Sequence, residues 1–461
     1  MVRKISIFLL FVYFIQFTAG IPASASEPFR DLAARSAIIA EKDNGTILYE
    51  SNAHIRHPAD ALAKIMTLLI AAEKVENDDI SDNELITMTE TAWYDIHENP
   101  NATTLDIHPG EEMTFIDLMY SAYIGNANEA CNMLALRIAG SVDAFVTLMN
   151  SKAKDIGATN TQFTNPHGQY HEYQYTTAYD QYLIFSEAMK STLFAEVSGT
   201  FRHITESTEE FESRTITNSN ALLNQSSRYY FRHCISGRDS ATYEGGYSLI
   251  ALAEEDGLSL ISVVLGSEVL TFDDGSTDMQ NFSETLRLFQ WAFTNFAWRD
   301  ILKTTDLLAR VPVQHGSGAD FVNARPEAAL TLLLDNSIPT DSFVKTVTIF
   351  SEESETPLVA PISAGDVLGE VVVTRNGIEY AKMALVANTN VNLSGIEYIR
   401  GQIVDVLSTS TARNILLILG IILILYIALV IRYNIVRANR LRRIKNAKED
   451  IIKERHQNFR D

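Results

Sequence analysis

Apolar and polar residues alternate through Ser36 to Glu50, SAIIAEKDNGTILYE, and the alternation breaks at Asp43-Asn44-Gly45, which predicts two strands joined by a tight hairpin turn. The period then lengthens. Leu62, Ile65, Met66, Leu69 and Ile70 recur at helical spacing behind Asp60, a residue type that caps helix starts, so a helix is expected to run to about Val75. Ala61 and Lys64 share one face of it, and Lys64 sits in an apolar stretch, HPADALAKIMT, where a cation needs a partner or a chemical task. Further helices are predicted over Thr114 to Ile124, with Thr114 and Asp117 at capping spacing, over Asn128 to Ala139 before Gly140, from Ser141 to Gly157, and over Thr176 to Met189. Beyond residue 230 the pattern returns to strands: Tyr247 to Ala253 and Leu258 to Gly266 flank Glu254-Glu255-Asp256-Gly257, and an amphipathic helix, Phe282 to Phe296, follows. Strands at both ends with helices between make this an α+β domain of about 250 residues.

From 300 to about 395 the texture changes to short alternating runs such as ALTLLLD, VKTVTIF and GEVVVT separated by Gly, Pro, Asn and Ser, which predicts a small β-rich module of sandwich type. Two long apolar runs stand apart from both domains. The first, Ile5 to Phe17, follows Arg3 and Lys4 and precedes Ala23-Ser24-Ala25, the layout of a secretory signal peptide with the mature chain starting near Ser26. The second, Ile415 to Ile431, carries no charge, lies between Arg413 and Arg432, and has the length of a short membrane span. The expected organisation is therefore a signal peptide at 1–25, an α+β domain at 26–298, a β module at 299–395, a juxtamembrane linker at 396–412, a span at 413–433 and a tail at 434–461. No internal repeat is visible.

Charge sharpens this layout. Residues 432–461 hold ten Lys or Arg against four Asp or Glu, and the positive-inside rule puts such a tail in the cytoplasm and the domains outside the cell membrane. Removing that +6, and the +2 of Arg3 and Lys4, from the net charge of −21 leaves −29 for the rest. A surface that acidic repels nucleic acid. Only two cysteines occur, Cys131 and Cys234, too few for a disulfide-framed fold; two buried thiols and a single bridge both remain open. His54 and His57, like His167 and His171, lack companions that would make a metal site, and no cofactor is expected.

Four stretches, GTILYESNAHIRHPADALAKIMT, GEEMTFIDLMYSAYIGNANEA, ATNTQFTNPHG and SGRDSATYEGGYSLIALA, together resemble the low-molecular-mass penicillin-binding proteins, the serine-type D-alanyl-D-alanine carboxypeptidases. The likeness runs from about residue 30 to 295, and the β module and C-terminal anchor also match that family's layout. The resemblance implies a transpeptidase-like domain, an antiparallel sheet with helices on both sides plus a helical subdomain. It also implies peptidoglycan chemistry, in which a serine attacks the D-Ala-D-Ala peptide, a lysine one turn on takes its proton, and water releases the acyl group.

Three motifs carry that reaction in the family, Ser-x-x-Lys, Ser-x-Asn and Lys-Thr-Gly, and each is altered here. The resemblance puts the nucleophile position at Ala61 and the general-base position at Lys64, which is retained. The second motif falls on Asn126-Ala127-Asn128, so Asn128 is retained while Asn126 replaces the proton-relaying serine. The third falls on Arg238-Asp239-Ser240, with Thr242 following; Arg238 keeps a cation suited to a carboxylate, and Asp239 brings a like charge toward it. Backbone amides at Ala61 and Ala241 take the oxyanion-hole positions. Matches to Ser-x-x-Lys at Ser151 to Lys154 and at Ser342 to Lys345 are chance occurrences, and Asp60, 100° around the helix from the Lys64 face, is better suited to capping than to attack. The sequence therefore points to a membrane-anchored carboxypeptidase-like protein without its nucleophile, binding a peptidoglycan stem peptide or a cell-wall-assembly protein. A hydrolase with an unusual nucleophile, and a structural component of a division or sporulation complex, are the alternatives.

Overall fold

Alternation over the first hairpin does produce strands β1 (Ser36–Glu41) and β2 (Ile47–Ser51), paired antiparallel. They join β3 (Cys234–Thr242), β4 (Gly246–Glu255) and β5 (Leu258–Ser267) in one antiparallel sheet of order β2-β1-β5-β4-β3. These coordinates are a computed structural model that describes residues 29, 31–97, 102–207 and 211–457; the segment read as a signal peptide lies outside the described residues. Side chains alternate between the sheet's two faces. Ile38, Ile250, Leu252, Ile261 and Val263 enter a large core shared with helices, whereas Ala37, Ile39, Leu249, Ala251 and Val264 pack on the other side against Phe282, Leu288 and Phe289. Each such branched or aromatic side chain contributes roughly 1.5–3 kcal/mol on burial.

The larger core is built by helices α1 (Ala63–Glu76), α2 (Phe115–Tyr123), α3 (Asn128–Ala139), α4 (Val142–Ile156) and α5 (Ala178–Ala188), and α6 (Gln280–Asn295) covers the opposite face. Helices on both faces of the sheet are what the resemblance implied. Several ends follow local chemistry: Thr114 accepts from Asp117 N–H at 3.2 Å, Ser141 from Ala144 N–H at 3.1 Å, and Gly140 and Gly157 close helices at φ 78° and 95°. Helix α1 is buried from Ala63 through Ala72 without a gap, so it is apolar around its whole circumference and carries Lys64 into the core. Its predicted cap does not form. Asp60 begins a 3₁₀ turn, Asp60–Leu62, at φ 45° and turns its carboxyl away from the helix.

Cys131 and Cys234 are free, buried, and lie in different cores, which decides between the two readings left open by the sequence.

Among the described residues, 300–331 and 340–457 form a second compact unit. Its main element is a six-stranded sheet in the order Val344–Ile349, Val367–Arg375, Ile378–Ala387, Phe321–Pro326, Ala309–Gln314, Leu358–Val359. The β-rich expectation holds, but one sheet with short flanking strand pairs stands where two packed sheets were expected among the described residues. The segment read as a linker is helical over Gly395–Ser408, and a helix over Ser410–Gln457 contains the whole apolar run. Among the described residues it alone is, as one unbroken helix, long and apolar enough to cross a membrane.

Candidate functional site

The four sequence stretches converge where the start of α1, the turn before α3 and the outer strand β3 meet. Lys64 is 2% exposed, and its ammonium donates to Asn128 Oδ1 at 2.6 Å and to the His167 carbonyl oxygen. Burial pulls its pKa down to about 8, and the nearby Arg238 cation acts in the same direction. His167, also buried and beside the Lys64 ammonium, is held neutral with a pKa of about 3. The loop Asn165-Pro166-His167-Gly168 that receives Lys64, and whose Pro166 carbonyl takes the Thr67 hydroxyl at 2.6 Å, had no assigned role at the sequence level, although it lies in one of the four matching stretches.

Ala61 presents a methyl group beside this lysine's turn, and its backbone N–H donates to Ser240 Oγ at 3.2 Å. The hydroxyl introduced at the last position of the third motif therefore occupies the amide that the resemblance assigns to the oxyanion hole. Asp60 makes a second crossing. Its carboxyl is 4% exposed, and Oδ2 accepts from the Thr242 hydroxyl at 2.7 Å. Thr242 Oγ1 in turn accepts from Gly245 N–H at 2.9 Å, and a Cβ on Gly245 would stand 1.8 Å from the Asp60 oxygen. Burial pushes the Asp60 carboxyl up to about 6 against the opposing Thr242 hydrogen bond, with Glu244 adding a like charge.

Arg238 supplies a third crossing. Its guanidinium is 1% exposed, donates to the Tyr123 carbonyl oxygen and to Asn126 Oδ1, and lies over the Tyr123 ring at 5.5 Å. Asn126 holds the left-handed conformation, φ 57°, that aims its amide at Arg238. The sequence suggested a cation suited to a ligand carboxylate. The reason it faces inward is geometric: residues 238 and 240 share the face of β3 that packs on the helices, while Asp239 points to the other face and takes the Ser219 hydroxyl. Ala241 is exposed beside Tyr243, at a shallow cavity also lined by Arg35, Tyr247 and Glu268. Lys64, Asn128, Asn126, Arg238, Ser240, Ala61, Thr242 and Asp60 are thus brought together, and Asp239 and Ala241 lie at the edge. Among the described residues no cluster of His, Cys, Asp and Glu could hold a metal ion.

Known proteins share this fold. Residues 21–269 match the sequence profile of the D-alanyl-D-alanine carboxypeptidase family. D-alanyl-D-alanine carboxypeptidase DacF of Bacillus subtilis is 26% identical over 364 residues, 78% of this chain and 87% of the relative, and DacC of Escherichia coli is 28% identical over 366 residues, 78% and 85%. Among solved structures, penicillin-binding protein 6B of Escherichia coli superposes with a TM-score of 0.60 at 21% identity over 80% of this chain and 99% of that one. The carboxypeptidase DacD of Francisella tularensis gives 0.59 at 21% over 80% and 96%, and likenesses of this depth speak for the fold. Since the profile match alone spans more than half of the 461 residues and includes all the motif positions, this chain belongs to the D-alanyl-D-alanine carboxypeptidase family.

Proposed function

We propose that this protein is a catalytically silent member of its family, anchored in the cell membrane by the helix at Ser410–Gln457, which serves peptidoglycan metabolism by binding rather than by hydrolysis. One observation supports the reading: Ala61, at the position the resemblance assigns to the nucleophile, offers only a methyl group, and its amide is already engaged by Ser240. Acyl transfer needs an attacking oxygen or sulfur and a free oxyanion donor at that point. Lys64, lowered to about 8, would be a competent base for a neighbouring hydroxyl, and Ala61 offers none.

The crossings also bear on what is bound. Asp60 to Thr242, Ser240 to Ala61 and Arg238 to Asn126 each satisfy polar groups that a stem peptide would use, so a peptide entering the cleft must displace all three. That cost favours a cell-wall-assembly protein docking on the outer surface over a peptide in the cleft. The test is release of D-alanine from a stem pentapeptide by the full chain in detergent, beside an active relative. Release no faster than in buffer is the expected result; sustained multiple turnover would establish the alternative, a hydrolase with an unusual nucleophile.

A further inference from the structure

We propose that a cavity of about 690 Å³ at the far end of the same sheet is a binding site for a neutral pyranose sugar, the glycan rather than the peptide part of the cell wall. The choice of cell-wall glycan rests on the functional reading above; the existence of the site does not. Its walls come from Phe231 and His233 just before β3, Glu255 at the end of β4, Phe293 on α6 and Trp298 beyond it. Strand β3 separates it from the motif residues, since Cys234 and Ser240 lie six residues apart along an extended chain, about 20 Å. The volume is within the range of small-ligand sites, roughly 300–1,000 Å³.

Aromatic rings form one wall. Phe231 and Phe293 stand 6.4 Å apart, His233 is 6.2 Å from Phe293, and the fully buried Phe289 stacks behind Phe231 at 5.8 Å. Phe231, Phe293 and Trp298 remain partly exposed at the cavity, so ring surface is available to a ligand. A polar edge stands beside the rings: Glu255 Oε1 lies 3.3 Å from His233 Nε2 and 4.0 Å from Arg232 Nη2. Arg232 Nε lies 2.7 Å from His233 Nε2, and His233 Nδ1 lies 3.1 Å from the Glu254 carbonyl oxygen.

This pairing of surfaces selects a class of ligand. An aliphatic chain would cover the rings and take water from the half-buried Glu255 carboxylate without replacing its hydrogen bonds. Anionic polymers meet Glu255 and Asp256 on a strongly acidic domain. A pyranose ring matches both surfaces, with C–H groups against the aromatic faces and hydroxyls donating to the carboxylate and accepting from the guanidinium.

The probe is the tetramer of N-acetylglucosamine, titrated into the full chain in a detergent without a sugar headgroup and followed by tryptophan emission and calorimetry. Saturable binding is expected, weakened at least tenfold by Glu255→Gln and by Trp298→Ala, and in Trp298→Phe the emission change is lost while calorimetric binding remains. Chitin, the uncharged polymer of the same sugar, should retain the native chain on a pull-down and release Glu255→Gln. No saturable binding at millimolar tetramer, or binding unchanged in Glu255→Gln, a half-buried rim variant that keeps side-chain size, would overturn the proposal. D-Alanine release is a separate readout, so failure of this site and failure of the silent-cleft reading are told apart.

Discussion

Asp60 is buried where a helix cap would be solvated, and its charge is the unfavourable state there. Because its folded pKa, about 6, lies above the ordinary carboxyl value of 3.8, the folded protein binds the proton more tightly than the unfolded chain does. Stability from this group is therefore full below about pH 4 and is lost as pH rises through about 6. Asp60→Asn keeps an acceptor for the Thr242 hydroxyl without the charge. It is expected to raise the unfolding free energy from urea titration at pH 7.5, by up to about 3 kcal/mol, and to leave it nearly unchanged at pH 3. An equal effect at both pH values would show that the carboxyl is not desolvated. Ala61, Lys64 and Asn128 were placed by the family resemblance, whose motifs are short and contiguous. The actions of Asp60 and Ser240 were not, since their partners lie 182 and 179 residues away and no local pattern says which way those side chains turn.

At the scale of elements, the loop carrying His167 is pressed onto the start of the first helix. Gly168 has φ 82°, and a Cβ there would lie 1.9 Å from the Asp60 carbonyl oxygen. Gly168→Ala is expected to destabilise the fold by more than about 2 kcal/mol, with the Lys64 contacts displaced. Gly110, at φ 90° with nothing within 4 Å, supplies the control: Gly110→Ala bears the backbone cost alone, about 1 kcal/mol. Denaturant midpoints at constant slope measure both, and equal losses would mean that the loop is not packed as described. Elements with their own signals were legible, as in the Asp43-Asn44-Gly45 hairpin and the helices capped by Thr114 and Ser141. Strand β3 has no such signal. Its sequence, CISGRDSAT, is mostly polar and alternates poorly; pairing with β4 makes it a strand, and the resemblance, not its own pattern, placed the third motif there.

For the whole molecule, composition predicted what the fold alone does not require: an uncharged apolar run, Ile415 to Ile431, followed along the same helix by basic residues. The full chain is expected to stay with membranes through alkaline carbonate extraction, and a chain ending at Thr409 is expected to be released into the soluble fraction. Retention of the shortened chain would locate the anchor elsewhere. The juxtamembrane stretch was read as a linker because Ser408 to Thr411 is polar, yet the residues before it continue as a helix, Gly395–Ser408.

The central claim, a family cleft without a nucleophile, is tested most directly by exposing the full chain to a fluorescent penicillin and reading the intact mass. Ala61→Ser and the double variant Ala61→Ser, Ser240→Gly are treated alongside it. No adduct is predicted on the native chain. The double variant should be labelled faster than the single one, at least about tenfold, because removing the Ser240 hydroxyl frees the amide of residue 61 and one oxyanion donor is worth roughly 10²–10³ in rate. A stable adduct on the native chain, mapped to Ser240 or any other residue, would contradict the account.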